Sequence, residues 1–434
     1  MKLLIKNGRV IDPASGFDEV CDVAIAAGRI IAIKTVAPGF SANRVIDASG
    51  CIVAPGLIDL AARLREPGHE HEGMLESEMA AAVAGGITAL VCPPDTDPVL
   101  DEPGLVEMLK MRAEKLHQAR VYPLGALTRR LEGEVLTEMA ELTEAGCVGF
   151  SQAEVPLANT QVLQRALLYA ATYGYTVWLR PQELHLGKGV AASGPLATRL
   201  GLAGVPVAAE TIALHTIFEL MKSTGARVHL CRLSSAAGVE LVRQARAGGL
   251  PVTCDISINS LLLTDNDIGF FDSRMRLNPP LRQQRDRDAL QQALADGAVD
   301  ALVSDHTPVD EDEKTLPFAE AEPGATGVEL LLSLSLKWAQ DSGVDIRRAL
   351  AVVTSEPARV LGNALGTLQA SAGRLVEGGV ADLCVFDPQA TWTVAPHALR
   401  SQGKHTPFSG YELPGRVRFT VAGGQLAFEG RDRA

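Results

Sequence analysis

Closely spaced cysteines are missing from this 434-residue chain. Its seven cysteines, at positions 21, 51, 92, 147, 231, 254 and 384, never lie closer than 23 residues apart. That excludes a CxxC metal knuckle or redox pair. An odd, scattered set in apolar segments is expected to be reduced, buried thiols of a cytosolic protein. A basic surplus is missing too. The net charge of −12 argues against nucleic acid or an anionic membrane as the main partner, because both select a basic face. No run of eighteen or more apolar residues offers a transmembrane helix. The opening MKLLIKNG is too short an apolar stretch for a signal peptide. The phosphate-cradling patterns GxGxxG and GxxxxGK[ST] are absent, as is the GxSxG nucleophile elbow. No internal repeat or charge block interrupts the chain. What is present, 47% hydrophobic and 21% charged residues, describes a soluble globular protein expected in the cytoplasm. Its length suits one large domain plus a small one.

The ends and the middle are patterned differently. From Lys2 to Ile52, short strand-like runs (LLIKNGRVID, DVAIAAGRIIAI, RVIDASGCIV) are separated by the turn signals Asn7-Gly8, Ala27-Gly28 and Ser49-Gly50. The tail resumes this style at 381–388 and 416–430, which predicts one small β-sandwich built from both termini. The middle alternates. Apolar strand candidates fall at 51–59, 87–93, 119–125, 147–151, 175–180, 227–232, 250–256 and 300–306, with helical stretches at 102–117, 160–174 and 210–225 among those between them. Eight strands apolar on both faces and alternating with helices predict a closed parallel (β/α)8 TIM barrel. The expected division is 1–54 with 370–434 for the sandwich and 55–369 for the barrel. Segment 181–209, long and rich in glycine, is expected to loop over the barrel mouth with a short helix.

In such barrels the working groups sit at the C-terminal ends of the strands. Four stretches stand out: PGLID-x-x-x-x-LREPG at 55–68, RLNPPLR at 276–282, SDHTP at 304–308 and DEDEKTLPFAEAEPGATGVE at 310–329. Together they resemble the cyclic-amidohydrolase superfamily, and within it the dihydroorotases, over nearly the whole chain. That resemblance implies a one- or two-metal site that generates hydroxide and polarises an amide carbonyl. It implies His-x-His after strand one, a carboxylate or carbamylated lysine after strand four, histidines after strands five and six, and an aspartate after strand eight. Here the corresponding residues are Ala61 and Arg63, Gln152, Arg180, Arg232 and Asp305. Only Asp305 matches.

Arginine stays protonated and cannot ligate through nitrogen. At ~4 Å and an effective dielectric of ~20, each guanidinium would repel a dication by about 8 kcal/mol. Arg63, Arg180 and Arg232 together therefore predict no metal and no cofactor. At least one of them is expected to hydrogen-bond Asp305, in a bidentate pair standing in for the lost ion, so that Asp305→Ala would destabilise the fold by about 3–5 kcal/mol. Arg65 and Asn278 stand where the resemblance implies vestigial substrate contacts, and a structural salt bridge is the equal alternative for Arg65. The stretch Pro94-Asp95-Thr96-Asp97 puts an anion where the resemblance implies a neutral amide, and Val309 stands where it implies a histidine. His69-Glu70-His71 is expected to be a solvated surface pair, His215 and His229 to be packing or surface residues, and His306 could touch the pocket.

The resemblance is closest to the catalytically inactive dihydroorotase-like chains that serve aspartate carbamoyltransferase as non-catalytic structural subunits in pyrimidine biosynthesis. It implies a self-dimer within a hetero-oligomer, a dodecamer with six of each chain. The alternative is an active, metal-poor or metal-free cyclic amide hydrolase with Asp305 as general base and the arginines stabilising an oxyanion. A third reading is a sensor or store for an anionic metabolite.

Overall fold

The computed structural model describes residues 2–430. From the N-terminal stretch come β1 (Lys2–Asp12), β2 (Phe17–Ala26), β3 (Arg29–Ile33), β4 (Arg44–Asp47) and β5 (Ile52–Pro55). Next follow β6 (Leu57–Asp59), β7 (Ile87–Cys92), β8 (Arg120–Pro123), β9 (Gly125–Ala126), β10 (Phe150–Ser151) and β11 (Thr176–Leu179). A small pair, β12 (Ala191–Ala192) and β13 (Gly204–Val205), flanks a short helix, Pro195–Leu200. Then come β14 (Arg227–Leu230), β15 (Val252–Ser257) and β16 (Ala301–Val303), and finally β17 (Leu383–Thr393), β18 (Glu412–Ala422) and β19 (Gln425–Glu429).

Both chain ends join one sheet in the order β19-β18-β17-β5-β1-β2-β3, with β4 also on β1. Its core gathers Leu3, Ile5, Val23, Ile25, Val53 and Val385. Asn7-Gly8 does not turn the chain here. It forms a bulge inside β1, with Asn7 at φ 62°, that divides the strand: residues 3–6 pair with β4 and residues 9–10 with β5. Ala27-Gly28 does make the hairpin between β2 and β3.

The run at 51–59 serves two sheets rather than one strand. β5 pairs with β17, and β6, one residue later, pairs with β7. Gly56 is the crossing point because a Cβ there would lie 2.2 Å from Thr88 Oγ1. The barrel then runs β6-β7-β8 and β9-β10-β11-β14-β15-β16, all parallel. Its third strand breaks at Leu124, whose N–H donates to Cys92 O at 2.9 Å while Gly125 N–H reaches Gly149 O at 2.9 Å. The ring closes through the Ala62–His306 bridge and the bond from Arg63 N–H to His306 O at 2.8 Å. Ile58, Leu60, Val91, Trp178 and Val303 fill the interior. Helices Pro103–Lys115, Thr160–Tyr173 and Ala208–Thr224 lie outside it. Pro103 opens the first, and Asn159 caps the second by accepting from Gln161 N–H and Val162 N–H. No described helix is long and apolar enough to cross a membrane, and four of the seven cysteines, Cys92, Cys147, Cys254 and Cys384, are buried.

Candidate functional site at the barrel mouth

Arg63, Arg180, Arg232 and Asp305 all follow the C-terminal ends of barrel strands, and their side chains meet. The group that gathers them is Glu154, in the loop after β10. Arg63 Nη2 donates to Glu154 Oε1 at 2.9 Å and Arg180 Nη1 to Oε2 at 2.6 Å. Arg232 Nη2 donates to Oε1 as well, and Asn278 Nδ2 to Oε2 at 2.9 Å. Arg63 also grips Asp95 Oδ2 through Nε at 3.0 Å and Nη2 at 2.8 Å, and reaches Thr307 Oγ1 at 3.1 Å. Arg180 Nη2 donates to Asn278 Oδ1 at 2.6 Å.

Asp305 has a lesser place than expected. It accepts one bond, from Arg232 Nη1 at 3.0 Å, and the pair is not bidentate. Arg232 instead divides its guanidinium among Asp305, Glu154 and the Asn278 carbonyl. Burial drives the Asp305 carboxyl above its ordinary pKa while Arg232 and Arg63 pull the other way. For Glu154 burial works in the same upward sense, but Arg232, Arg180 and Arg63 prevail and hold it well below the usual carboxylate range. Ala153, Arg232 and Asp305 all adopt left-handed backbone, at φ 49°, 55° and 51°. Such conformations are uncommon for residues other than glycine and concentrate where a site over-determines the backbone. The turn at Ala153 is what brings Glu154 back over the mouth.

Three guanidiniums thus face three carboxylates, those of Asp95, Glu154 and Asp305. The donor set does not fit a divalent metal, since cations occupy the ligand positions. Nor does it present a spare positive charge to an anion, which removes the ground for the sensor reading. The space left between these side chains is about 130 Å³, below the ~300 Å³ at which small-molecule sites begin.

The other residues singled out above fall as follows. Ala61 packs beside the barrel interior. Gln152 turns away from the mouth, donating to Leu131 O at 2.7 Å and accepting from Thr128 Oγ1 at 3.0 Å. Arg65 lines the cavity but is tied to Glu72 at 3.0 Å and to Pro308 O at 2.8 Å, the salt-bridge alternative. Val309 is buried, and His71 and His215 are exposed. His71, Glu72 and Glu313 come within 4.8 Å of one another, but Glu72 is already engaged by Arg65. His306 does not touch the pocket: its Nε2 meets Glu78 Oε2 at 2.8 Å, and its Nδ1 accepts from Gly327 N–H at 3.2 Å. His229 is wholly buried inside the barrel against Asp255 and Thr253, each at 2.8 Å. Cys231 lies beside it, but both His229 nitrogens are already engaged, one by Asp255 and one by Thr253.

Glu154 escaped the sequence reading because that reading took Gln152 for the strand-four position and went no further along the loop. The signal was one of charge balance: three arginines at one mouth need three anions, and only Asp95 and Asp305 had been placed there.

Comparison with known proteins follows the same lines. Residues 50–237 match the family model described as dihydro-orotase-like, and residues 202–427 that of the amidohydrolase family. The chain is 46% identical to a dihydroorotase-like protein of Pseudomonas aeruginosa over 99% of its own length and 100% of that protein's. It is 39% identical to a protein of Geobacter metallireducens named dihydroorotase, again over 99% and 100%. Among solved structures it superimposes on the L-hydantoinase (dihydropyrimidinase) of Arthrobacter aurescens with a TM-score of 0.87 at 24% identity, covering 99% of this chain and 96% of that one. This last likeness is one of fold.

Proposed function

Because the chain belongs to the amidohydrolase family, in its dihydroorotase-like branch, and fills its barrel mouth with its own ion pairs, we propose that it is a catalytically silent dihydroorotase homologue. In this reading it acts as a non-catalytic subunit supporting the assembly or activity of aspartate carbamoyltransferase. The observation that carries the reading is the convergence of Arg63, Arg180 and Arg232 on Glu154. A hydrolase of this kind needs an open position for its activated water, whereas here that place is taken by guanidinium groups bound to carboxylates. A fold can be retained for its outer surface after its site has been lost, because fold and site are separable. Asp305 is a poor candidate for the general base of the alternative hydrolase. A base must be free to reach a substrate proton, and this one is engaged by Arg232.

Two measurements test the proposal. Protein purified without chelators should hold no stoichiometric zinc, and should neither hydrolyse dihydroorotate nor cyclise carbamoyl-aspartate. Turnover that Asp305→Ala abolishes would establish the hydrolase instead. Co-expressed with the same organism's aspartate carbamoyltransferase, the chain should co-elute with it and raise its activity. Separate elution at micromolar concentration would end the subunit reading.

A further inference from the structure

A second cavity, of about 880 Å³, lies at the opposite end of the barrel. It opens where β8, β10, β11 and β14 begin, between the strand starts and the 3₁₀ segment Gly362–Leu368. Its volume falls within the ~300–1,000 Å³ usual for small-molecule sites and is several times the 130 Å³ left at the mouth.

Its lining combines two kinds of group. The first is cationic. Arg227, at the first position of β14, makes no side-chain hydrogen bond or ion pair among the described residues, and Lys110 reaches only the Ala145 carbonyl, at 3.5 Å. Arg120 is taken up by Asp382 at 2.5 Å. Glu114 is the only carboxylate among the lining residues, so Lys110 and Arg227 leave the cavity positive in a chain of net charge −12. The second kind is aromatic. Tyr173 and Tyr175 stack with ring centroids 5.5 Å apart and planes 11° apart; Tyr169 packs tilted against Tyr173 at 5.3 Å, yet Tyr173 stays exposed, which leaves ring surface for a flat ligand ring to cover.

Unpaired cations call for an anion, and an exposed aromatic ring calls for a planar partner. We propose that this cavity binds a phosphorylated planar ring, of the size and chemistry of a nucleoside monophosphate, and that it does so independently of the barrel mouth. Arg227 would take the phosphate as a bidentate partner, with Lys110 as a second charge, and Tyr173 would cover the ring.

AMP and UMP are suitable probes, with adenosine, uridine and inorganic phosphate as controls, titrated calorimetrically into the purified chain. At least one mononucleotide should bind at least tenfold more tightly than its nucleoside and than phosphate. Arg227→Ala and Tyr173→Ala should each weaken it at least tenfold. Neither residue holds the fold together in this structure, so unchanged melting of the free variants is expected and checks that the loss is local. Hydrogen exchange should slow at 117–122 and 173–176 and not at 232–235. No binding at about millimolar nucleotide, binding insensitive to Arg227→Ala, or protection confined to the barrel mouth would each overturn the proposal.

Discussion

Glu154 carries more of the barrel mouth than Asp305 does, and the difference is measurable. Removing one partner of a buried ion pair costs about 3–5 kcal/mol, because the other charge is left uncompensated. Glu154 compensates three guanidiniums, and its side chain is 29% exposed, so Glu154→Ala should cost about 3 kcal/mol, at the lower end of that range. Asp305→Ala should cost about 1 kcal/mol or less, since Arg232 keeps Glu154 and the Asn278 carbonyl. Urea denaturation of the two variants checks the order, and a costlier Asp305→Ala would show that the hub has been misplaced. The two carboxyls also respond oppositely to pH. Glu154 has its pKa held below the usual 4.5, so its stabilisation is complete above about that pH and is lost as pH falls further. Asp305 has its pKa raised above 3.8, so its contribution declines as pH rises from there through the raised value. Glu154→Gln should therefore flatten the acid limb of the stability profile. From sequence the arginines were legible, because each occupies a strand-end position. Glu154 was not, because it reaches the mouth only through the left-handed turn at Ala153, which no residue type announced.

The barrel's elements were legible where a long apolar run marked them, and illegible where one run serves two structures. The helices at 102–117, 160–174 and 210–225 appear within a few residues of the expected ends, because Pro103, Asn159 and the glycines that follow mark their termini. The run at 51–59 gave no sign of its division at Gly56, since both halves are equally apolar and the deciding contact is Thr88, over thirty residues away. His306 misled for a related reason. It follows Asp305 directly, yet it points outward and fastens the end of the eighth barrel strand to helix Leu75–Ala84 through Glu78, a wholly buried carboxylate. Glu78 keeps its bonds from Ser77 Oγ and Gln402 N–H when that histidine is removed. His306→Ala should accordingly cost about 2 kcal/mol, the usual penalty for an unpaired buried acceptor. It should also speed hydrogen exchange in helix 75–84 more than in helix 160–173. Uniform acceleration across the molecule would mean that the pair does not act as a local fastening.

At the scale of the whole molecule, the question is whether the barrel frame has kept its shape while its site was replaced. The ring closes through Ala62 and His306 and through Asp59, whose Oδ1 accepts from Ser304 N–H at 3.1 Å. Arg63 contributes to this closure only through its backbone N–H, which donates to His306 O at 2.8 Å, and none of these bonds uses a guanidinium of the three arginines. The superposition on a hydantoinase, with a TM-score of 0.87, likewise places the strand ends in the arrangement common to the fold. If the frame is intact, the mouth should accept metal again once its ligands are restored. The fivefold variant Ala61→His, Arg63→His, Gln152→Asp, Arg180→His and Arg232→His removes three cations and adds a carboxylate. Asp95, Glu154 and Asp305 would then surround the site with three acids, and the repulsion of about 8 kcal/mol per guanidinium would be gone. This variant should bind close to one equivalent of zinc or more, read by elemental analysis after dialysis, and its melting temperature should rise with added metal, as linkage requires. Turnover is not expected to follow, because Asp95 and Val309 still depart from the substrate pocket that the family resemblance implies. It should still co-elute with aspartate carbamoyltransferase, since in the proposed role the outer surface is what the partner recognises. A folded variant that takes up no zinc would mean that the mouth itself has moved, and that replacement of the site did not stop at its side chains.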